Sequence, residues 1–114
     1  MSPSRFKLVF FSPVAHTNVV LNHLFHKYPS NVGRIGKYEH CAFITPGTGQ
    51  FRPTVGCNPF SGSVGELTHV EEHRVEVLVE DEGQDEEIRG AICELKTIHP
   101  YDEVAYDVYR LENF

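Results

Sequence analysis

Apolar and polar positions along this chain follow two different periods, and the switches between them mark its elements. Phe6 to Phe11 is apolar apart from Lys7, the pattern of a strand covered on both faces. Ser12-Pro13 follows as a helix start, with Pro in the first helical position. Val20, Leu21, Leu24, Phe25 and Tyr28 then fall on one helical stripe, which Pro29 ends. Tyr38 to Thr45 alternates as a second strand. From Val70 to Glu80, a third strand, Val75, Val77 and Val79 point one way while Arg74, Glu76 and Glu80 point the other. Gly83 breaks the chain before Ile88, Ala91, Ile92, Leu95 and Ile98, a second helical stripe that stops before Pro100. Val104, Tyr106 and Val108 alternate with Ala105, Asp107 and Tyr109 in a final strand.

The order strand, helix, strand, strand, helix, strand predicts an α+β fold. It is a ferredoxin-like βαββαβ sandwich, with a four-stranded antiparallel sheet and both helices on one face. The other sheet face is left open, with Arg74, Glu76 and either Asp107 or Tyr106 pointing away from the helices. The second and third strands are joined by a long connection, about 46–69. Seven of the nine glycines fall within residues 33–65, and a structureless stretch beyond about 12–15 residues inside a compact domain is often functional. The connection has no G-x-x-x-x-G-K-[ST], and Gly47-Thr48-Gly49 lacks the third glycine of a dinucleotide fingerprint. Tight turns and short bulged strands are the plainer reading of its glycines.

Length and charge narrow the function. With 114 residues the chain has room for one domain, taken as 1–114, and not for separate cofactor and substrate domains. A net charge of −6 argues against general nucleic-acid binding. That total hides an asymmetry, a balance of +5 over residues 1–65 and −11 over 66–114. The acidic runs Glu80-Asp81-Glu82 and Asp85-Glu86-Glu87 read first as a solvated face, and second as one side of a complementary self-association. The longest apolar run, Leu8 to Phe11, is far too short for a bilayer, and Met1 to Arg5 opens no signal peptide. Cys41, Cys57 and Cys93 form no C-x-x-C pair. Reduced thiols in a cytoplasmic protein are expected.

His99-Pro100-Tyr101-Asp102-Glu103 is the strongest candidate for chemistry, with an imidazole and two carboxylates within five residues. On a strand the adjacent carboxylates would point apart, so at most one would join His99. The plainer reading makes Pro100 a helix stop, Tyr101 a packing residue and the acids partners of nearby bases. His16, His23 and His26 lie off the apolar stripe and are expected in solvent. His69 and His73 stand too far apart on a strand to chelate one ion. No H-E-x-x-H or Cys-His cluster occurs.

Several ordered motifs together resemble a known family. They are Gly33-x-x-Gly36-x-Tyr38-x-x-Cys41-x-Phe43, Gly47-x-Gly49-x-Phe51-x-Pro53, Gly56-x-Asn58-Pro59 and Gly62-x-x-Gly65. Glu71-Glu72-x-Arg74-x-Glu76 and His99-Pro100-Tyr101-x-Glu103-x-Ala105-Tyr106-Asp107 complete the set. The chain resembles, over 6–112, the PII/CutA-like domain inserted in YqfO-type members of the Nif-three family. Asp102 stands where that family usually has glutamate.

The resemblance implies a PII-like, CutA-like fold that assembles as a homotrimer. The family's two-metal site lies in the flanking halves and is absent from these residues. The expected function is a non-enzymatic binding or regulatory module, with the 46–69 connection over an inter-subunit cleft holding a small anionic ligand or a metal. The expected ligand-binding residues are Arg34, Lys37, Gly47, Gly49, Arg52, Asn58, His99, Tyr101 and Glu103; no residue is assigned a resident cofactor. Two alternatives stand beside it. One is a small enzyme with His99 and Glu103 as acid–base groups and Arg52 as anion anchor, which loses its centre if His99 is buried and bonded only to backbone. The other is a purely structural trimer that scaffolds a partner protein.

Overall fold

Strand β1, Ser4–Pro13, carries Phe6, Leu8 and Phe10 on one face, all at most 4% exposed. They meet Val75, Val77 and Val79 of β3, Thr68–Asp81, and the buried stripes of helices α1, Thr17–Lys27, and α2, Glu86–Ile98. The remaining strands are β2, Phe43–Phe51, and β4, Tyr106–Leu111, in the sheet order β2-β3-β1-β4 with every pair antiparallel. This is the expected ferredoxin-like α+β sandwich, seen in a computed structural model that describes residues 3–114. Met1 and Ser2, part of the Met1 to Arg5 stretch read for a signal peptide, lie outside the described residues. Among the described residues no helix is long and apolar enough to cross a membrane.

The core forms because the two stripes share one sheet face. Val20, Leu21, Leu24 and Phe25 from α1, and Ile88, Ala91 and Leu95 from α2, close over the β1 and β3 side chains in one cluster. At about 1.5–3 kcal/mol for each large apolar side chain buried, this cluster dominates the favourable side of folding. The open face is fixed by register. Val9 sits between Glu76 and Asp107, so Asp107 faces out, while Tyr106 stands beside Phe10 and packs on the core.

Four expectations are corrected. Ser12-Pro13 does not begin the helix: both belong to β1, and a 3-10 turn, Val14–His16, intervenes before α1. The second strand is not Tyr38–Thr45. Ile35 and Tyr38 bond each other across a turn, Cys41 N–H donates to Gly33 O at 2.8 Å, and β2 starts only at Phe43. Gly33 is required there, because at φ +76° its hydrogen lets the Phe25 ring and the Cys41 backbone approach. β2 therefore runs through Pro46, Gly47 and Gly49, residues that had marked a loop; at the sheet edge a proline deprives no neighbour of a hydrogen bond. The true connection shortens to 52–67.

The last strand likewise starts at Tyr106 rather than Val104, leaving residues 99–105 as a turn. The acidic run is not wholly solvated either. Asp81, 2% exposed, accepts backbone N–H bonds from Gly83, Asp85, Glu87 and Ile88 at 2.7–3.0 Å and closes the N-terminus of α2 from the end of β3. Burial pushes its carboxyl up, but these four donors outweigh that and hold it below the usual value.

Candidate functional site

Three parts of the fold meet at one end of the open face: the end of β1 at Phe11, the start of β3 at Glu72, and β2 at Gly49 and Phe51. The connection from Arg52 to Phe60 and the turn after α2 close over them, leaving a cavity of about 380 Å³ that opens to solvent. A smaller hollow of about 280 Å³ continues it along β2, sharing Phe11, Gly49 and Glu72.

The turn is held by its histidine. His99 is 6% exposed. Its Nε2 lies 2.7 Å from the Phe11 carbonyl, which only accepts, so Nε2 carries the proton. Nδ1 then accepts the Tyr101 N–H at 3.1 Å. Burial depresses the His99 pKa, with His16 adding to the effect, while the Phe11 carbonyl and the Glu72 charge oppose it. Both ring nitrogens are thus bonded to backbone, and the acid–base reading of His99 loses its centre.

Tyr101 continues the chain of bonds. Its hydroxyl donates to Glu72 Oε2 at 2.7 Å, and burial, then that bond and the Glu72 charge, raise its pKa well above 10. Glu72 in turn lies against Gly49, where a Cβ would overlap its carboxylate, so glycine at this point of β2 makes room for the acid. Phe51 and Phe60 lean on the Tyr101 ring, at centroid distances of 6.4 and 6.1 Å.

The expected site residues divide into three groups. Gly49, Arg52, Tyr101 and Glu103 line the larger cavity, and Gly47 and Gly49 the smaller. His99 stands behind the wall, and Asn58 joins through its backbone N–H, which donates to Asp102 Oδ2 at 2.8 Å. Arg34 and Lys37 line neither cavity. They follow Gly33, whose N–H bonds Leu78 O. That is six residues along β3 from Glu72, roughly 20 Å at about 3.3 Å per residue.

Sequence reasoning did not single out Phe11, Phe60 or Glu72 for the site, and it allowed only one of Asp102 and Glu103 to join it. Asp102 and Glu103 both reach the cavity because they sit on a turn, where the opposition of strand neighbours does not apply. Glu72 was visible only as part of the Glu71-Glu72 motif. Of the helical histidines, His26 is exposed as expected, whereas His23 bonds Glu94 of α2 at 2.7 Å and His16 packs edge-on against Phe60. Among the described residues no three His, Cys, Asp or Glu side chains converge as a metal site.

A sheet of this order with a covered and an open face defines the chain as a CutA-like, ferredoxin-like domain. The periplasmic divalent cation tolerance protein CutA of Archaeoglobus fulgidus shares that fold at a TM-score of 0.63 and 14% identity, over 96% of this chain and 86% of that one. Identity is higher elsewhere. The Bacillus cereus protein related to NIF3 matches at a TM-score of 0.76 and 38% identity, over 99% of this chain and 27% of that chain. A Halalkalibacterium halodurans protein named GTP cyclohydrolase 1 type 2 homolog is 43% identical over 110 residues, 96% of this chain and 28% of that protein. No protein-family model matches. The chain belongs to the Nif-three family as its PII/CutA-like domain, and it spans about a quarter of the length of the relatives it matches.

Proposed function

We propose that this chain works as a homotrimeric, non-catalytic binding or regulatory module that holds a small ligand in the cleft beneath residues 51–61. The observation that carries this reading is the cleft itself: a shaped hollow with four aromatic side chains in its wall, whose nearby histidine has no free ring nitrogen. Such a hollow has the form of a ligand site, while His99 positions its wall.

Assembly is supported by the open face. Phe43 on edge strand β2 is 67% exposed and Tyr109 on edge strand β4 is 51% exposed, both on that face. Large apolar groups at both edges of one sheet face favour burial against further copies. The free thiols of Cys41, Cys57 and Cys93 fit a reducing, cytoplasmic setting. The cyclohydrolase in the relatives' name belongs to proteins of which this chain spans about a quarter, and it forms no part of the proposal.

Light scattering on the purified chain tests the assembly. A mass three times 13.0 kDa is expected; a strict monomer at high concentration would overturn the reading.

A further inference from the structure

The geometry points to a small organic cation as the ligand of this cleft, an amine or guanidinium carried on an apolar or aromatic body. The inference rests on the binding-module reading and names its ligand class. It departs from the anion expected from Arg34, Lys37 and Arg52, because only Arg52 lies at the cavity. Against Arg52, and Arg74 in the adjoining hollow, stand three carboxylates, those of Glu72, Asp102 and Glu103. An anion would enter an excess of negative charge, and a cation would relieve it.

The carboxylates are not equally available. Asp102 spends its two oxygens on the N–H groups of Asn58 and Glu103, and Glu72 gives Oε2 to the Tyr101 hydroxyl. Glu72 Oε1, held against Gly49, and the exposed Glu103 remain to meet an incoming charge. The walls suit the same ligand. Phe11, Phe51, Phe60 and Tyr101 surround the hollow, and aromatic faces attract cations within about 6 Å of the ring centre. The protein already uses that attraction here: the Arg74 guanidinium lies 5.8 Å from the centroid of Phe11. About 380 Å³ is near the lower end of small-ligand sites, roughly 300–1,000 Å³, room for one ring and a short chain.

Three probes of matched shape test the charge: 3-phenylpropylamine, 3-phenylpropanol and 3-phenylpropionate, titrated into the full chain by ligand-observed NMR. The amine is expected to bind at least about tenfold more tightly than the acid, the difference of roughly one charge-assisted hydrogen bond. Glu72→Gln should remove most of that preference. Because this change also weakens the Tyr101 bond, Glu103→Gln, which leaves that bond alone, serves as a second variant, with circular dichroism reporting that each is folded. Equal or tighter binding of the acid overturns the inference, as does an amine affinity unmoved in both variants. Mass measured on the same samples separates the two readings. A trimer that ignores the amine overturns the ligand class and leaves the assembly, whereas a monomer that binds it supports the ligand class and overturns the assembly.

Discussion

Replacing Tyr101 with Phe deletes one oxygen and isolates a single bond of the cleft wall. The hydroxyl donates to Glu72 Oε2 at 2.7 Å, a charge-assisted bond of the kind that contributes about 1.5–3 kcal/mol when buried. Both partners are only half-buried, so solvent competes and the lower end applies, about 1.5 kcal/mol. For a chain of this length that is a fall in Tm of about 6 °C. Urea unfolding at neutral pH is the assay, with the midpoint expected to move and the slope to stay unchanged.

A second signature separates the hydrogen bond from altered packing. The Tyr101 hydroxyl has its pKa raised above the ordinary 10.0, first by burial and then by Glu72. As pH rises past about 10 the unfolded chain gives up its phenolic proton before the folded one does. The advantage of the natural protein over Tyr101→Phe is therefore complete below that pH and is lost as pH climbs towards the folded value. Equal stability of the two proteins at neutral pH, or a gap that widens in alkali, would refute the account.

Two further predictions concern groups that the core and the turn depend on. Asp81→Asn keeps one accepting oxygen and turns an amide toward donors that Asp81 now satisfies; the expected cost is about 3 kcal/mol, two charge-assisted bonds, read by thermal unfolding. Since the folded Asp81 pKa is lowered from 3.8, its contribution is present above that pH and lost as pH falls through the folded value, so the variant's acid limb should be flatter. The His99 ring, followed by NMR, should titrate below the ordinary 6.5, and its contribution to stability should be full above 6.5 and fall as pH drops below it. A midpoint above 6.5 would contradict burial as the dominant cause.

What could be read directly from the chain was whatever periodicity records. Val75, Val77 and Val79 announced β3 and its core face, and Ile88, Ala91 and Leu95 announced α2, because burial on one side imposes the period. β2 was misplaced because Pro46, Gly47 and Gly49 carry a loop's composition, and only the sheet edge and the Glu72 carboxylate beside Gly49 explain them. Asp81 hid in an acidic run for a related reason: its partners are backbone N–H groups, which leave no mark in a sequence. The site was half legible. The His99–Glu103 turn stood out by its residue types, whereas Phe11 and Glu72 joined it only through strand register.

The pairing of β1 with β4 has a consequence for where such a unit can live. Arg5 stands directly across from Leu111, so the first and last strands reach the same edge of the molecule one strand-width apart, about 5 Å. A host chain could leave one of its surface loops, build this whole sheet, and return to nearly the point of departure without stretching its own backbone. The cleft lies at the far end of β1, around Phe11. A host joined through Arg5 and Leu111 would therefore leave the cleft open, its mouth turned away from the point of attachment.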